Sequence, residues 1–213
     1  MSRYLILFTI VLLTVLSFAC ANPAANKPKA SVANAAPETN PAKPAGAETL
    51  VISPENSKVE FVAAKVTRSH NGSFKQFNGT IDLLGNSAEQ SRVTIDIEMG
   101  SVVTDEDQLT GHLKTPDFFD VGKYPKATFV STKIEPSATG GPAYTVTGNF
   151  DLHGIKALIA FPAMIQVTPD HVSVDSEFAI NRKDFGLVYP GKADDLIRDG
   201  VVIKLSLKVP RQS

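Results

Sequence analysis

The chain has 213 residues, and its 21 lysines and arginines against 22 aspartates and glutamates leave a formal net charge of −1. That balance supplies no general field to attract nucleic acid or anionic lipid, so nucleic acid is not an expected partner. There is no tryptophan and a single cysteine, Cys20, which excludes a disulfide within the chain.

Arg3 is the only charged side chain before an apolar run from Tyr4 to Phe18. A run of this kind, followed by small residues, reads as a signal peptide over residues 1–20. It is shorter than the roughly 20 apolar residues a spanning helix needs. Leu16-Ser17-Phe18-Ala19-Cys20 is similar to a bacterial lipobox, in which the cysteine thiol receives a diacylglycerol after cleavage. Ala19 fits that pattern; Ser17 stands where an aliphatic residue is usual. The alternative is an ordinary signal peptide cleaved after Ala19 or Ala21. Either way the chain is expected to be exported to the periplasm or cell envelope, anchored to the membrane if Cys20 is acylated.

Residues 21–47 are alanine, proline, asparagine and lysine with almost no large apolar side chain. Such a stretch buries too little surface to offset the entropy of ordering, which predicts a disordered, semi-extended tether holding a domain away from the membrane. The domain then occupies residues 48–213. From Glu48 onward the signal is period-2 alternation, which predicts strands. Val59, Phe61 and Ala63 share one face of a first long strand, and Asn71-Gly72 is a hairpin signal. The return runs from Phe77 to Leu83, with a turn at Leu84-Gly85-Asn86. Val93, Ile95, Ile97 and Met99 then alternate with polar residues.

The stretch from Gly111 to Pro125 breaks this rhythm. Adjacent Phe118 and Phe119 cannot both face inward on a strand. Thr115 as N-cap, with Pro116 at the first helical position, predicts a short helical plug near 112–122. Strands resume over Ala127–Glu135 and, after a Gly140-Gly141-Pro142 turn, over Tyr144–Leu152, Ile155–Val167 and Val172–Ile180. Pro162 marks an edge, bulge or bend. A second irregular connection, Asn181–Gly200, leads to the terminal strand, with Val201, Ile203, Leu205, Leu207 and Val209 inward. The prediction is all-β, with about eight antiparallel strands as an up-and-down barrel or a two-sheet sandwich; the sequential hairpins favour the barrel.

Several blocks resemble the YceI-like family. Thr110-Gly111-His112-Leu113-Lys114-Thr115-Pro116-Asp117-Phe118-Phe119-Asp120-Val121, with Lys123-Tyr124-Pro125 after it, is similar to that family's central signature. Tyr144–Asn149 with His153-Gly154, Phe178–Gly186, and Asp199 before the last strand resemble its other blocks, in the same order. The departures are Leu50-Val51-Ile52 without an aromatic, the Ile155-Lys156-Ala157-Leu158 turn region, and Gly200 after Asp199. The resemblance implies an eight-stranded, lipocalin-like exported barrel. Its apolar interior would take up a polyisoprenoid lipid, such as a polyprenyl phosphate or an isoprenoid quinone.

On the residues alone, Phe61, Phe129, Phe150, Phe161 and Phe178 fall one per strand and would converge inside a barrel, where they either fill the core or line a cavity. With Phe118 and Phe119 from the plug they form the candidate binding set. His112, Asn181 and Arg182 are candidates for meeting a polar head group by charge-assisted hydrogen bonds. The four histidines lack the spacing of a zinc site, so no metal and no cofactor is expected. The aspartates read as caps and loop formers rather than catalytic pairs, so the function expected is binding, not catalysis. An interaction module of the envelope with a filled barrel is the alternative. A homodimer is compatible with either.

Overall fold

The alternation that begins at Glu48 becomes a strongly curled antiparallel sheet. A computed structural model of the chain describes residues 22–37, 43–138 and 143–211. The expected signal peptide, Cys20 and the expected Gly140-Gly141-Pro142 turn lie outside the described residues. The elements are β1 (Ser31–Asn34), β2 (Glu48–Ile52), β3 (Ser57–Ala64), β4 (Ser69–Phe74), β5 (Phe77–Leu84), β6 (Ser87–Glu98), β7 (Val102–Thr104), α1 (Asp107–Leu113), β8 (Lys126–Pro136), β9 (Ala143–Leu152), β10 (Ile155–Val167), β11 (His171–Asn181), β12 (Gly191–Lys192), β13 (Asp195–Leu196) and β14 (Gly200–Pro210). Twelve of the strands form one sheet in the order β2-β5-β6-β8-β9-β10-β11-β14-β3-β4-β7, with β1 beside β10.

The all-β, antiparallel expectation holds, with more strands than the predicted eight. The long strands β3, β5, β6, β8, β9, β10, β11 and β14 are the barrel staves; β5 to β14 follow one another in chain order, and β14 closes onto β3. The additional strands are short ones that alternation does not detect. One end of the barrel is sealed by Leu50, Ile52, Leu83, Val172 and Val209, all essentially inaccessible to solvent. Arg211 ties that end together, its Nε donating to Glu48 Oε2 at 3.0 Å and its Nη1 to Asn86 Oδ1 at 2.9 Å.

Three local expectations are corrected. Asn71-Gly72 is not the hairpin turn but lies inside β4, opposite Val62 and Phe61; the turn is at Lys65–Arg68, where Lys65 N donates to Arg68 O at 2.8 Å. Gly72 serves close approach instead, because a Cβ there would overlap the Phe61 ring. The helix starts earlier than predicted and ends at Leu113. Thr115 is past its C-terminus: Thr115 Oγ1 donates back to His112 O at 2.8 Å, and Pro116 follows the helix end, as prolines commonly do. Residues 114–124 are successive turns, with Asp120 at φ 44°.

Residues 22–36, read from composition as tether, lie along the barrel. β1 pairs with β10, and Ala24 is buried with Val62, Ala179 and Val202 on the outer wall. The physical reason is that the wall itself carries outward apolar side chains. Val202 is 1 % exposed although it alternates with cavity-facing neighbours, and the N-terminal segment is what covers it.

Candidate ligand-binding cavity

Inside the barrel lies a cavity of about 190 Å³ that meets only apolar surface, although Glu60 and Arg182 stand among the residues around it. Strand alternation builds its sides: Ile95 on β6, Phe129 on β8, Val146 and Phe150 on β9, Phe161 on β10 and Phe178 on β11 point inward. β14 contributes Val201, Ile203, Leu205 and Leu207, every second residue. Phe161 and Phe178 stack with ring centroids 4.3 Å apart and planes 11° from parallel, and Phe129 tilts against Phe161 at 5.6 Å. Apolar cavities of this order, roughly 150 Å³ and larger, stay dry and admit apolar molecules.

The end opposite the sealed one is closed by connecting segments rather than strands. Leu113, Phe118 and Phe119 come from α1 and the turns after it; Leu187 and Ile197 come from the loop that carries β12 and β13. Phe119 rests 6.1 Å from Phe74, which in turn lies 5.8 Å from Phe61. The plug is moored to β4 by polar contacts. Arg68 Nε donates to His70 Nε2 at 3.0 Å, so the His70 Nδ1–H donates to Asp105 Oδ1 at 2.8 Å. Asn71 N also donates to Asp105, at 2.9 Å. That backbone N–H chiefly, with His70 and Arg68 adding to it against a smaller cost of burial, holds the Asp105 carboxyl below the usual carboxylate range.

All seven predicted phenylalanines, Phe61, Phe118, Phe119, Phe129, Phe150, Phe161 and Phe178, line the cavity. The three head-group candidates do not gather there. His112 sits on the outer side of the plug, its Nε2 2.9 Å from Asp117 Oδ2 and its ring edge-on to Phe118 and Tyr189. Asn181 is exposed and caps a 3-10 turn, its Oδ1 accepting from Lys183 N at 3.0 Å. Arg182 borders the cavity only with its stem; its guanidinium is spent on the carbonyls of Leu187, Arg198 (3.2 Å) and Ile197 (3.4 Å), with Asp199 Oδ1 at 3.5 Å. Burial pushes its pKa down and Asp199 opposes this. Arg182 is therefore the clasp of the 187–199 loop. The reason lies in geometry: at the strand end, Arg182 turns back under a loop whose carbonyls have no ladder partner.

Residues that sequence reasoning missed include Phe74 and Leu187 in the lining, and Phe185, which is fully buried with its ring 5.2 Å from Phe150. Phe185 belongs to the Asp-Phe-Gly tripeptide, where Gly186 at φ 72° ends the 3-10 turn. The four histidines stand apart: His70 with Asp105, His112 with Asp117, His153 against Tyr124 and His171 beside Thr168. Among the described residues no group of three histidine, cysteine or acidic side chains is placed to hold a metal ion.

Comparison with known proteins gives a consistent family pattern. The family model of the YceI-like domain matches residues 50–209. A UPF0312 protein of Pseudomonas putida strain W619 is 30% identical over 126 residues, 56% of this chain and 65% of that protein. A UPF0312 protein of Pseudomonas fluorescens strain SBW25 is 26% identical over 59% of this chain and 68% of its own length. The match thus spans a little under two thirds of the P. putida relative. Among solved structures, BcnA of Burkholderia cenocepacia has TM-score 0.63 at 27% identity, covering 71% of this chain and 95% of BcnA. A polyisoprenoid binding domain from Saccharophagus degradans, implicated in plant cell wall breakdown, has TM-score 0.62 at 20% identity, covering 78% and 99%; at that identity the likeness concerns the fold.

Proposed function

Given that the chain belongs to the YceI-like family, we propose that it is a non-enzymatic binding protein that carries or stores a long-chain isoprenoid lipid, a polyprenyl phosphate or an isoprenoid quinone, inside its barrel. The observation that carries the reading is the lining: eight phenylalanines and a belt of aliphatic side chains face one another across a shared space, and no polar surface is presented to it that could orient a reacting atom. Hydrocarbon entering that space gains roughly 25 cal/mol for each Å² removed from water. The S. degradans relative is a polyisoprenoid binding domain, which supports the ligand class. Because the polar groups of His112, Asn181 and Arg182 are engaged with Asp117, a turn N–H and loop carbonyls, selection is by the hydrocarbon chain, and a phosphate or quinone ring stays at the cavity margin.

Export and acylation of Cys20 belong to the same proposal. With residues 22–36 laid on the barrel, only one residue separates Cys20 from Asn22. An acyl anchor would thus hold the barrel against the membrane, about 7 Å of chain away, rather than at the end of a long tether. Acylation is read by the mass of the mature N-terminal peptide, and self-association as a homodimer by sedimentation velocity.

The binding test is native mass spectrometry after incubation with solanesol or ubiquinone in vesicles. A one-to-one adduct is expected, abolished when the cavity is filled by Leu205→Phe with Ile203→Phe. No adduct, or an adduct indifferent to filling, refutes the reading.

A further inference from the structure

The barrel wall is not continuous between β10 and β11. Their ladder holds only from Met164 opposite Asp175 to Val167 opposite Val172. It stops beside Pro162, which has no N–H to offer; there Ser176 Oγ donates to Pro162 O at 2.5 Å in place of a backbone bond. Beyond this point β10 continues to pair with β9 while its other edge faces the N-terminal segment. Ser31 to Asn34 stand opposite Ala160 to Ala157. On the far side the same segment bonds to β11: Ala179 N donates to Pro28 O at 2.8 Å, and Ala30 N donates to Ala179 O at 2.9 Å. Residues 28–34 are thus an inserted stave filling a slot in the wall.

The slot lies directly over the cavity. Ile159 and Phe161 on one lip, and Phe178 and Ile180 on the other, are cavity-lining residues. The stave that closes it is lightly held. All four residues of β1 are exposed, and beyond backbone bonds its ties among the described residues include the Lys27–Glu177 ion pair at 2.7 Å, Ala24 on the outer wall, Ala30 against the core, and Asn149. The Asn149 amide grips Ala36 twice, accepting from its N at 2.9 Å and donating to its O at 3.1 Å. Segments with few buried apolar contacts and exposed backbone bonds detach at far lower cost than core strands. The other end of the cavity is packed under Leu113, Phe118 and Phe119, whose plug is moored by buried His70.

We propose that the β10–β11 slot is the port through which an apolar chain is loaded, and that residues 28–36 are its gate, detaching to admit the chain sideways and re-pairing behind it. The proposal rests on the binding reading above and adds the route. Lateral passage suits a ligand drawn from a bilayer, since hydrocarbon can slide between strand edges while its head group stays in water.

The test locks the gate. In the full chain with Cys20→Ser, the pair Ser31→Cys and Ala160→Cys places two thiols directly opposite one another on an antiparallel pair, where Cα atoms about 4.5–5.5 Å apart are within disulfide reach. Neither position is in the core, and the reduced form of the same protein is the folding control. Loading is followed with nitrobenzoxadiazole-labelled solanesol in phosphatidylcholine vesicles. The oxidised protein is expected to load at least tenfold more slowly than the reduced one, with dithiothreitol restoring the rate. Asn149→Ala is expected to speed loading severalfold. Equal rates for oxidised and reduced protein, both binding the probe, overturn the port and leave the binding reading standing. No binding by either form removes the binding reading and the port with it.

Discussion

Phe178 is the side chain on which the packing account can be tested most sharply. It is 3 % exposed and stacks on Phe161 across the cavity wall. Phe178→Ala removes a buried ring worth up to about 3 kcal/mol by transfer and an aromatic pair worth about 0.5–1.5 kcal/mol. The sum, about 3–4 kcal/mol, sits within the 3–5 kcal/mol usual for core Phe→Ala changes. Collapse cannot recover much of it, because the ring borders space rather than a neighbour that could move in. A domain of this size should lose roughly 7–14 °C in Tm while staying folded. Urea and thermal unfolding measure the loss, and Phe161→Ala with the double variant isolates the stacked pair. Additive losses, or a single loss below about 1 kcal/mol, would refute the claim that these rings form a packed wall.

Other outcomes follow from contacts elsewhere in the barrel. Gly72→Ala should drive the Phe61 ring into the cavity, costing about 1–3 kcal/mol as overpacking and weakening uptake of solanesol; unchanged uptake would contradict the placement of Phe61. Arg182→Lys should strip the 187–199 loop of its carbonyl clasp, at about 2–4 kcal/mol, with faster amide exchange confined to that loop; protection unchanged there would contradict the clasp. Lys27 first, and Lys204 after it, hold the Glu177 carboxyl below its ordinary value, against a cost of burial. A depressed carboxyl contributes stability that is fully present above its unfolded pKa, about 4.3, and is lost as pH falls through the lower folded value. Amide exchange at Ala30, corrected for its intrinsic pH dependence, should therefore accelerate below about pH 4, and the acceleration should vanish in Glu177→Gln.

Much of the barrel was legible because its staves alternate strictly. β14 and β11 read directly from Val201–Val209 and Val172–Ile180, and inward phenylalanines followed from the same period. What was not legible depended on contacts far apart in the chain. Asn71-Gly72 has the composition of a turn, yet Gly72 answers to the Phe61 ring on the neighbouring strand. The Thr115-Pro116 pair has the composition of a helix start, yet it terminates one, since α1 begins at Asp107 under its Glu106 cap residue. The Ala/Pro-rich segment lacks any apolar period; its strand exists because β10 and β11 leave an open edge for it. One sequence signal for that arrangement was present: Pro162 withholds an N–H from one edge of its stave, and Val62, Ala179 and Val202 place apolar side chains on an outer face that needs a cover. Arg182, Asn181 and His112 were drawn to a head group by their chemistry, and their partners turned out to be loop carbonyls, a turn N–H and Asp117.

The most direct test of the central claim is mass spectrometry of an organic-solvent extract of the protein, purified without detergent. A polyprenyl lipid or isoprenoid quinone at near one equivalent, absent from the cavity-filled Ile203→Phe, Leu205→Phe variant, is the expected result. An extract without apolar ligand, together with no uptake of added polyprenyl lipid, would contradict it and favour an envelope interaction module.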